Sequence, residues 1–121
     1  VELALDPEYY ARFYSAATGI PMTLAGLLKA SERIYNLTRA MNVKRGLTAK
    51  DDWLPDRDFE DPVSVGSIVA AKLDRNKFRD FLRLYYKLRG WDKNGVPTRE
   101  KLVGLDLKDV SRELERLKAR R

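Results

Sequence analysis

The sequence contains no cysteine and no histidine among its 121 residues. Without cysteine it cannot form disulfides, hold an iron–sulfur cluster through thiolates or build a cysteine-type zinc site. Without histidine it lacks the most common general base and metal ligand. No run approaches the roughly 20 apolar residues of a membrane span, and no signal-peptide pattern is present. We therefore expect a cytoplasmic protein with no membrane partner and little catalytic apparatus.

The charge is strongly basic, with 24 Lys and Arg against 18 Asp and Glu and a net charge of +6. A nucleic-acid partner is one interpretation of such a charge, especially where residues 83–89 mix Arg and Lys with tyrosine. Elsewhere the basic residues alternate with acidic ones, which is more typical of a solvated surface. A freestanding basic helical module that binds nucleic acid or protein therefore stays as the alternative hypothesis.

Helix caps and apolar spacing predict an all-α fold. We expect one domain over residues 1–121, an irregular bundle of four to five helices with a long structured loop. The loop covers residues 47–73, where Trp53 and Leu54 are expected to anchor it to the core. Within the loop, Ser64 to Leu73 fits either a short helix or an extended segment. The predicted helices run from about Pro7 to Thr18, Pro21 to Gly46, Asp74 to Gly90, Thr98 to Gly104 and Lys108 to Ala119.

Two of these helices have distinct faces. On the second helix, Glu32, Asn36 and Arg39 lie opposite an apolar arc made of Ala30, Ile34, Leu37 and Met41. Asn and Arg in a row indicate either a hydrogen-bonding partner, such as another domain, or plain solvation. The third helix repeats apolar residues at helical spacing, which predicts a buried stripe and leaves Tyr86 facing outward. The stripe consists of Phe78, Phe81, Leu82, Tyr85 and Leu88.

Candidate catalytic groups are few. The neighbouring carboxylates Asp51 and Asp52 permit a metal or acid–base site, and hence a carboxylate-based hydrolase, although such a pair more often caps a turn or binds arginine. No serine has a histidine base, because the chain contains no histidine. No glycine-rich phosphate-binding loop is present. The residues alone therefore predict no catalytic site with any strength.

Three segments resemble, in order and spacing, the C-terminal region of the tungsten-containing aldehyde:ferredoxin oxidoreductase family. The first matches the pattern Glu-Arg-x-x-Asn-Leu-x-Arg-x-Phe-Asn-x-Arg-Glu-Gly, with Met41 in place of Phe and Lys44-Arg45 in place of Arg-Glu. The second matches Asp-Asp-x-Leu-Pro-x-Arg, and the third matches Tyr-Tyr-x-x-Arg-Gly-Trp-Asp-x-x-Gly-x-Pro-Thr. The matching stretches are residues 32–46, 51–57 and 85–98.

The resemblance implies that the chain is part of a larger enzyme. Enzymes of this family oxidise aldehydes to carboxylic acids, pass the electrons to ferredoxin, and hold tungsten between two pterins beside a 4Fe-4S cluster. Their last cluster cysteine lies in an Asp-x-x-Gly-Leu-Cys motif that precedes the first matching segment. The chain is therefore expected to be the C-terminal helical domain of a multidomain oxidoreductase, with no catalytic, cofactor or metal ligand of its own. Alone it is expected to be inactive.

The signature residues are expected to have a structural role. The resemblance implies that this domain packs on the remaining domains of the parent enzyme, and it weighs against a nucleic-acid partner. Polar members of the signature, among them Arg33, Asn42 and Arg57, would lock the second helix to the loop and to the third helix. The full scaffold comprises Glu32, Arg33, Asn36, Arg39, Asn42, Asp51, Asp52, Arg57, Tyr85, Tyr86, Arg89, Trp91 and Asp92.

Overall fold

The computed structural model describes residues 6–119, apart from the side chains at positions 64, 65 and 68–70. The predicted all-α class is confirmed, and a small antiparallel hairpin is added to it. That hairpin occupies the segment for which the sequence left helix and extended chain open. A sixth helix, of a single turn, also lies in the predicted loop. The elements are α1 Pro7–Thr18, α2 Leu24–Lys44, α3 Arg57–Glu60, β1 Val63–Val65, β2 Ile68–Ala71, α4 Arg75–Arg89, α5 Arg99–Gly104 and α6 Lys108–Ala119.

Side-chain caps explain where four of the helices begin. A carboxylate or hydroxyl oxygen accepts a hydrogen bond from a backbone N–H of the first turn, which would otherwise have no partner. Asp74 accepts two such bonds, from the N–H groups of Asn76 and Lys77 at 2.8 and 2.9 Å. The capping residues of α1, α2, α4 and α5 are Asp6, Thr23, Asp74 and Thr98.

The apolar core lies where the C-terminal half of α2 meets α5 and α6. Its fully buried members are Ala40 and Val43 of α2, Leu102 of α5 and Leu114 of α6. Four half-buried side chains pack around them: Val96, Leu107, Val110 and Leu117. A second cluster of three rings, Trp53, Phe59 and Phe78, has centroids 5.2 to 5.6 Å apart. This cluster fastens the long loop to α4, so Trp53 anchors the loop to α4 rather than to the apolar core as predicted. Leu54 is half-buried.

The predicted stripe on α4 is wrong at two of its members. Phe81 is 65% exposed and Leu88 is 74% exposed, whereas Tyr86, predicted to face outward, is only 4% exposed. The reason is that Tyr86 is held inside by its hydrogen bond to Asp52 of the long loop and by its contact with the Trp91 ring. Phe78, Leu82 and Tyr85, which lie nearer that contact, are half-buried.

Helix α2 has its polar face inside. Asn36 is fully buried and Arg39 is 9% exposed, while Ile34 on the opposite face is 67% exposed. Of the two interpretations left open for this polar face, solvation is therefore wrong. Its hydrogen-bonding partners lie within this chain. No helix in residues 6–119 combines the length and the apolar character that crossing a membrane requires.

Candidate functional site

Arg39 is the centre of a buried polar cluster between α2, the long loop and the turn after α4. Its Nε donates to the carbonyl oxygen of Gly95 at 2.8 Å, and its Nη1 donates to Oδ1 of Asp52 at 2.7 Å. Nη2 pairs with the second oxygen of Asp52, which completes a two-point contact. The guanidinium also lies 4.6 Å from the ring centroid of Trp91. One side chain thus joins three separate segments of the chain.

The turn after α4 brings Gly95 close enough for this contact. Oδ1 of Asp92 accepts the N–H groups of Asn94 and Val96 at 2.9 and 3.1 Å, which closes the turn. Gly95 has a φ of 71°, and a Cβ there would lie 2.3 Å from Nη2 of Arg39. Position 95 must therefore be glycine both for its backbone angle and for the approach of Arg39.

Tyr86 completes the contacts of Asp52. Its hydroxyl donates to Oδ2 of Asp52, the same oxygen that Arg39 contacts. The Tyr86 ring lies 5.9 Å from the ring of Trp91. Asp52, which lies in the long loop, therefore accepts hydrogen bonds from Arg39 of α2 and from Tyr86 of α4 and holds the two helices together.

Asn36 links α2 directly to Trp91. The Oδ1 of Asn36 accepts the indole N–H of Trp91 at 2.8 Å, while its Nδ2 donates to the carbonyl oxygen of Glu32 at 2.9 Å. The oxygen and the nitrogen of this buried amide are both hydrogen-bonded, which stabilises one specific position of α2 relative to the turn after α4. Within the described residues, no buried side-chain nitrogen or oxygen is left without a hydrogen bond.

Glu32 forms the edge of the cluster. Its carboxylate accepts Nη1 of Arg89 at 2.7 Å and pairs with Nζ of Lys101 at 2.7 Å. Arg89 lies over the ring of Tyr35 at 4.3 Å, and the Tyr35 hydroxyl is hydrogen-bonded to that of Tyr85. We call the set Glu32, Asn36, Arg39, Asp52, Tyr86, Arg89, Trp91 and Gly95 the polar cluster.

The electrostatics of the polar cluster favour its charged pairs. Burial alone would raise the pKa of Asp52, but the hydrogen bonds from Arg39 and Tyr86 outweigh burial and lower that pKa. Burial alone would lower the pKa of Arg39, but the hydrogen bond and the negative charge of Asp52 outweigh burial and raise that pKa. Burial and the bond to Asp52 both raise the pKa of Tyr86. The pKa of Glu32 is lowered chiefly by its hydrogen bond with Lys101.

These shifts predict an acid-sensitive fold. Because the folded-state pKa of Asp52 lies below its unfolded value of about 3.9, the unfolded chain binds more protons. Its stabilising contribution is thus present above about pH 4 and is lost as the pH falls through the lower folded-state pKa. Denaturant unfolding between pH 2 and 7 should show a falling free energy of unfolding below about pH 4. In Asp52→Asn this acid limb should be shallower, whereas Asp80→Asn, at an exposed carboxylate, should keep it. An unchanged limb in Asp52→Asn would contradict the assignment.

Five scaffold residues predicted from the sequence lie outside the polar cluster, and Tyr85 borders it. Asp51 accepts the N–H and hydroxyl of Thr48 at 2.7 and 2.9 Å, so it caps a turn. Asp92 closes the turn before Gly95 and also binds Lys118. The remaining three are the exposed Arg33 and Arg57 and the half-buried Asn42.

Sequence reasoning missed Lys101, the second partner of Glu32. It lies in the short helix α5, 69 residues from Glu32 along the chain, and nothing in its local pattern distinguishes it from a solvated lysine. Gly95 belongs to the third matching segment, but its close approach to Arg39 depends on how the turn packs. Only the tertiary structure supplies both contacts.

The polar cluster engages its ionisable groups in ion pairs and hydrogen bonds with one another. A general acid or base works best with a pKa near the working pH. The pKa of Asp52 is lowered and that of Tyr86 is raised, so both move away from neutral pH. Asp51 and Asp52 bind different partners and do not act as a pair. In residues 6–119 there is no group of three or more Asp or Glu side chains suited to hold a metal ion. The structure gives no support to a carboxylate-based hydrolase.

Comparison with known proteins matches residues 1–107 to the family model of aldehyde ferredoxin oxidoreductase, domains 2 and 3. The tungsten-containing aldehyde ferredoxin oxidoreductase of Pyrococcus furiosus is 38% identical over 104 residues, which is 85% of this chain and 17% of that protein. The enzyme of the same name from Thermococcus kodakarensis is 36% identical over 104 residues, again 85% of this chain and 17% of the relative. The chain thus spans about a sixth of the length of these relatives.

One solved structure contains a region with the same fold as this chain. The active-site complex BamBC of benzoyl coenzyme A reductase, with 1,5-dienoyl-CoA, superposes with a TM-score of 0.78 and 30% identity. The superposition covers 95% of this chain and 16% of that one. No comparison supports a freestanding nucleic-acid-binding module. From the family match and these identities, the chain belongs to the aldehyde ferredoxin oxidoreductase family, a family of oxidoreductases.

Proposed function

We propose that this chain is the C-terminal helical domain of a larger cytoplasmic tungstopterin enzyme. The whole enzyme oxidises aldehydes to carboxylic acids and passes the electrons to ferredoxin. The observation that carries the proposal is the family match over residues 1–107, together with 38% identity to a tungsten-containing relative. The three signature segments also supply most of the polar cluster.

Among the cofactors of the family, the 4Fe-4S cluster does not fit the residues of this chain. Cluster iron is usually held by cysteine thiolates, and the sequence has none. The carboxylates best placed for a metal are already engaged, Asp52 by Arg39 and Tyr86, and Glu32 by Arg89 and Lys101. No step of the reaction is therefore assigned to this chain, and the cysteine ligands of the cluster would belong to the rest of the polypeptide.

The contribution of this chain is to hold helices in place. The polar cluster joins α2, the long loop, α4 and the turn after α4 through bonds that each require one geometry. Helices held in this way give neighbouring domains a rigid surface to pack on. A cofactor site between domains depends on such rigidity, because reacting groups need placement within fractions of an ångström.

The test begins with the native protein that carries this sequence. We expect a polypeptide several times longer than 121 residues, with tungsten and iron, that reduces ferredoxin when an aldehyde is supplied. Its Arg39→Met variant should give a several-fold lower yield of tungsten-loaded enzyme. The KM for aldehyde should stay within about twofold, because Arg39 is assigned a structural role.

The control is Arg83→Met, which removes an arginine whose side chain is 71% exposed and pairs only weakly with Asp80 at 3.4 Å. It should leave both the yield and the KM unchanged. A native polypeptide of 121 residues without tungsten would contradict the proposed function. A tenfold change in KM for fully loaded Arg39→Met would contradict the structural role.

A further inference from the structure

Helix α2 exposes an apolar strip on the side away from the polar cluster. Ile34, Leu37 and Met41 are all exposed, and they align at helical spacing with Ala30. Ion pairs lie near the two ends of the helix, Lys29 with Asp106 and Lys44 with Glu113, both at 2.9 Å. The exposed Arg33 borders the strip and lines the same surface depression as Ala30, Ile34 and Leu37. We call Ala30, Ile34, Leu37 and Met41 the α2 strip.

Helix α4 exposes a second apolar strip. Phe81, Leu84 and Leu88 follow one another at i, i+3 and i+7, and each is more than half exposed. Tyr86, which faces the polar cluster, lies on the opposite side of the same helix. We call Phe81, Leu84 and Leu88 the α4 strip. Each strip is therefore on the side of its helix that the polar cluster leaves free.

These two strips differ from the scattered apolar residues of an ordinary surface. Single exposed leucines are normal, but contiguous apolar faces on soluble proteins mark contacts with something else. Here both helices bury polar side chains, Asn36 and Arg39 on α2 and Tyr86 on α4, while an apolar strip on the opposite side of each helix stays open. Among residues 6–119, every buried side-chain nitrogen and oxygen already has a hydrogen-bond partner. The strips therefore offer apolar contact rather than hydrogen bonds.

We propose that the remaining polypeptide of the longer protein covers both strips, so that this domain is held between two other parts of it. The inference rests on the proposed function and names the surfaces of contact. The chain spans 17% of its relatives and 16% of the matching solved chain. Most of the polypeptide of such a protein thus lies outside this domain and is available to cover the strips. Each strip lies on the side of its helix away from the polar cluster that joins the two helices, so the strips face different parts of that polypeptide.

The experiment compares carbene labelling of side chains in the 121-residue chain and in the longer native protein, read by mass spectrometry. Both strips should be labelled at least fivefold less in the longer protein. Equal labelling of either strip in the two samples would overturn the inference. So would a concentration-dependent dimer of the 121-residue chain that protects the strips, combined with unprotected strips in the longer protein.

Matched variants test the same surfaces by assembly. Ile34→Glu in the α2 strip and Leu88→Glu in the α4 strip should each lower the yield of soluble longer protein at least fivefold. The controls Thr38→Glu and Lys87→Glu change exposed polar positions on the same helices and should keep the yield within twofold. In the 121-residue chain all four variants should keep the wild-type helical signal. Strip variants that assemble like their controls would overturn the inference.

The outcomes separate this inference from the proposed function. A longer protein with protected strips but without tungsten or aldehyde oxidation would sustain the contact surfaces and contradict the proposed function. An active tungsten enzyme in which a strip is labelled as strongly as in the 121-residue chain would do the reverse.

Discussion

Replacing Arg39 with methionine is expected to lower the free energy of unfolding of the 121-residue chain by about 3 kcal/mol. Methionine fills a similar length but donates no hydrogen bond. The carbonyl oxygen of Gly95 loses its donor, and the carboxylate of Asp52 loses both contacts with the guanidinium. Breaking a buried pair by removing one partner is costly because the other charge stays behind in a poorly solvated place. Denaturant unfolding followed by circular dichroism measures the change.

A double-mutant cycle assigns that loss to the pair. Arg39→Met, Asp52→Asn and their combination should give a coupling energy of about 2 kcal/mol, since the double variant leaves no unpaired charge. The same cycle on Arg83 and Asp80, which are 71% and 69% exposed, should give at most about 0.5 kcal/mol. A loss below about 1 kcal/mol in Arg39→Met would mean that solvent replaces the guanidinium at little cost, against the buried geometry described here.

Gly95→Ala is expected to destabilise the chain by about 3 kcal/mol. Two effects add. The φ of 71° is unfavourable for any residue with a Cβ, and the new methyl group would lie 2.3 Å from Nη2 of Arg39 and 3.0 Å from the Tyr86 ring. Since Arg39 and Tyr86 are held by Asp52, neither can move without losing a hydrogen bond. The same unfolding measurement, with the near-ultraviolet signal of the aromatic rings that include Tyr86 and Trp91, should report a loosened cluster.

Gly19→Ala is the matched control. Gly19 has the same φ of 71°, but nothing lies within 4 Å of a Cβ built there. Its substitution should therefore cost only the backbone term, about 1 kcal/mol. The difference between the two variants isolates the close approach of Arg39. Equal losses would mean that the cluster adjusts to a methyl group at position 95.

Local signals predicted the helices well. Asp6, Thr23, Asp74 and Thr98 each cap a helix, and Gly19 and Gly90 end helices in the left-handed conformation. These features depend on a few neighbouring residues, so the sequence contains the whole of their physical cause. The hairpin at residues 63–71 was left open, because a short apolar run fits a strand or a helix equally well.

The direction that each helix faces could not be predicted in the same way. The α4 pattern predicted a buried stripe with Tyr86 outside, yet Tyr86 is buried while Phe81 and Leu88 are open. Periodicity identifies an apolar face and assumes that the core of the same chain covers it. That assumption fails here, because Arg39, Asp52 and Tyr86 bind one another, which buries the polar face of α2 and Tyr86 of α4.

The sequence by itself determined the boundaries of five helices to within about three residues, although not the single turn of α3. It also determined the family and the absence of cysteine and histidine ligands, because caps, motifs and composition are local or countable. The tertiary structure alone decided that Arg39, Asp52 and Gly95, from three distant segments, meet at one point. It alone placed Lys101 on Glu32, and it alone left two apolar strips exposed. Burial of a charged side chain depends on partners far along the chain, since only their combined hydrogen bonds offset the loss of solvent.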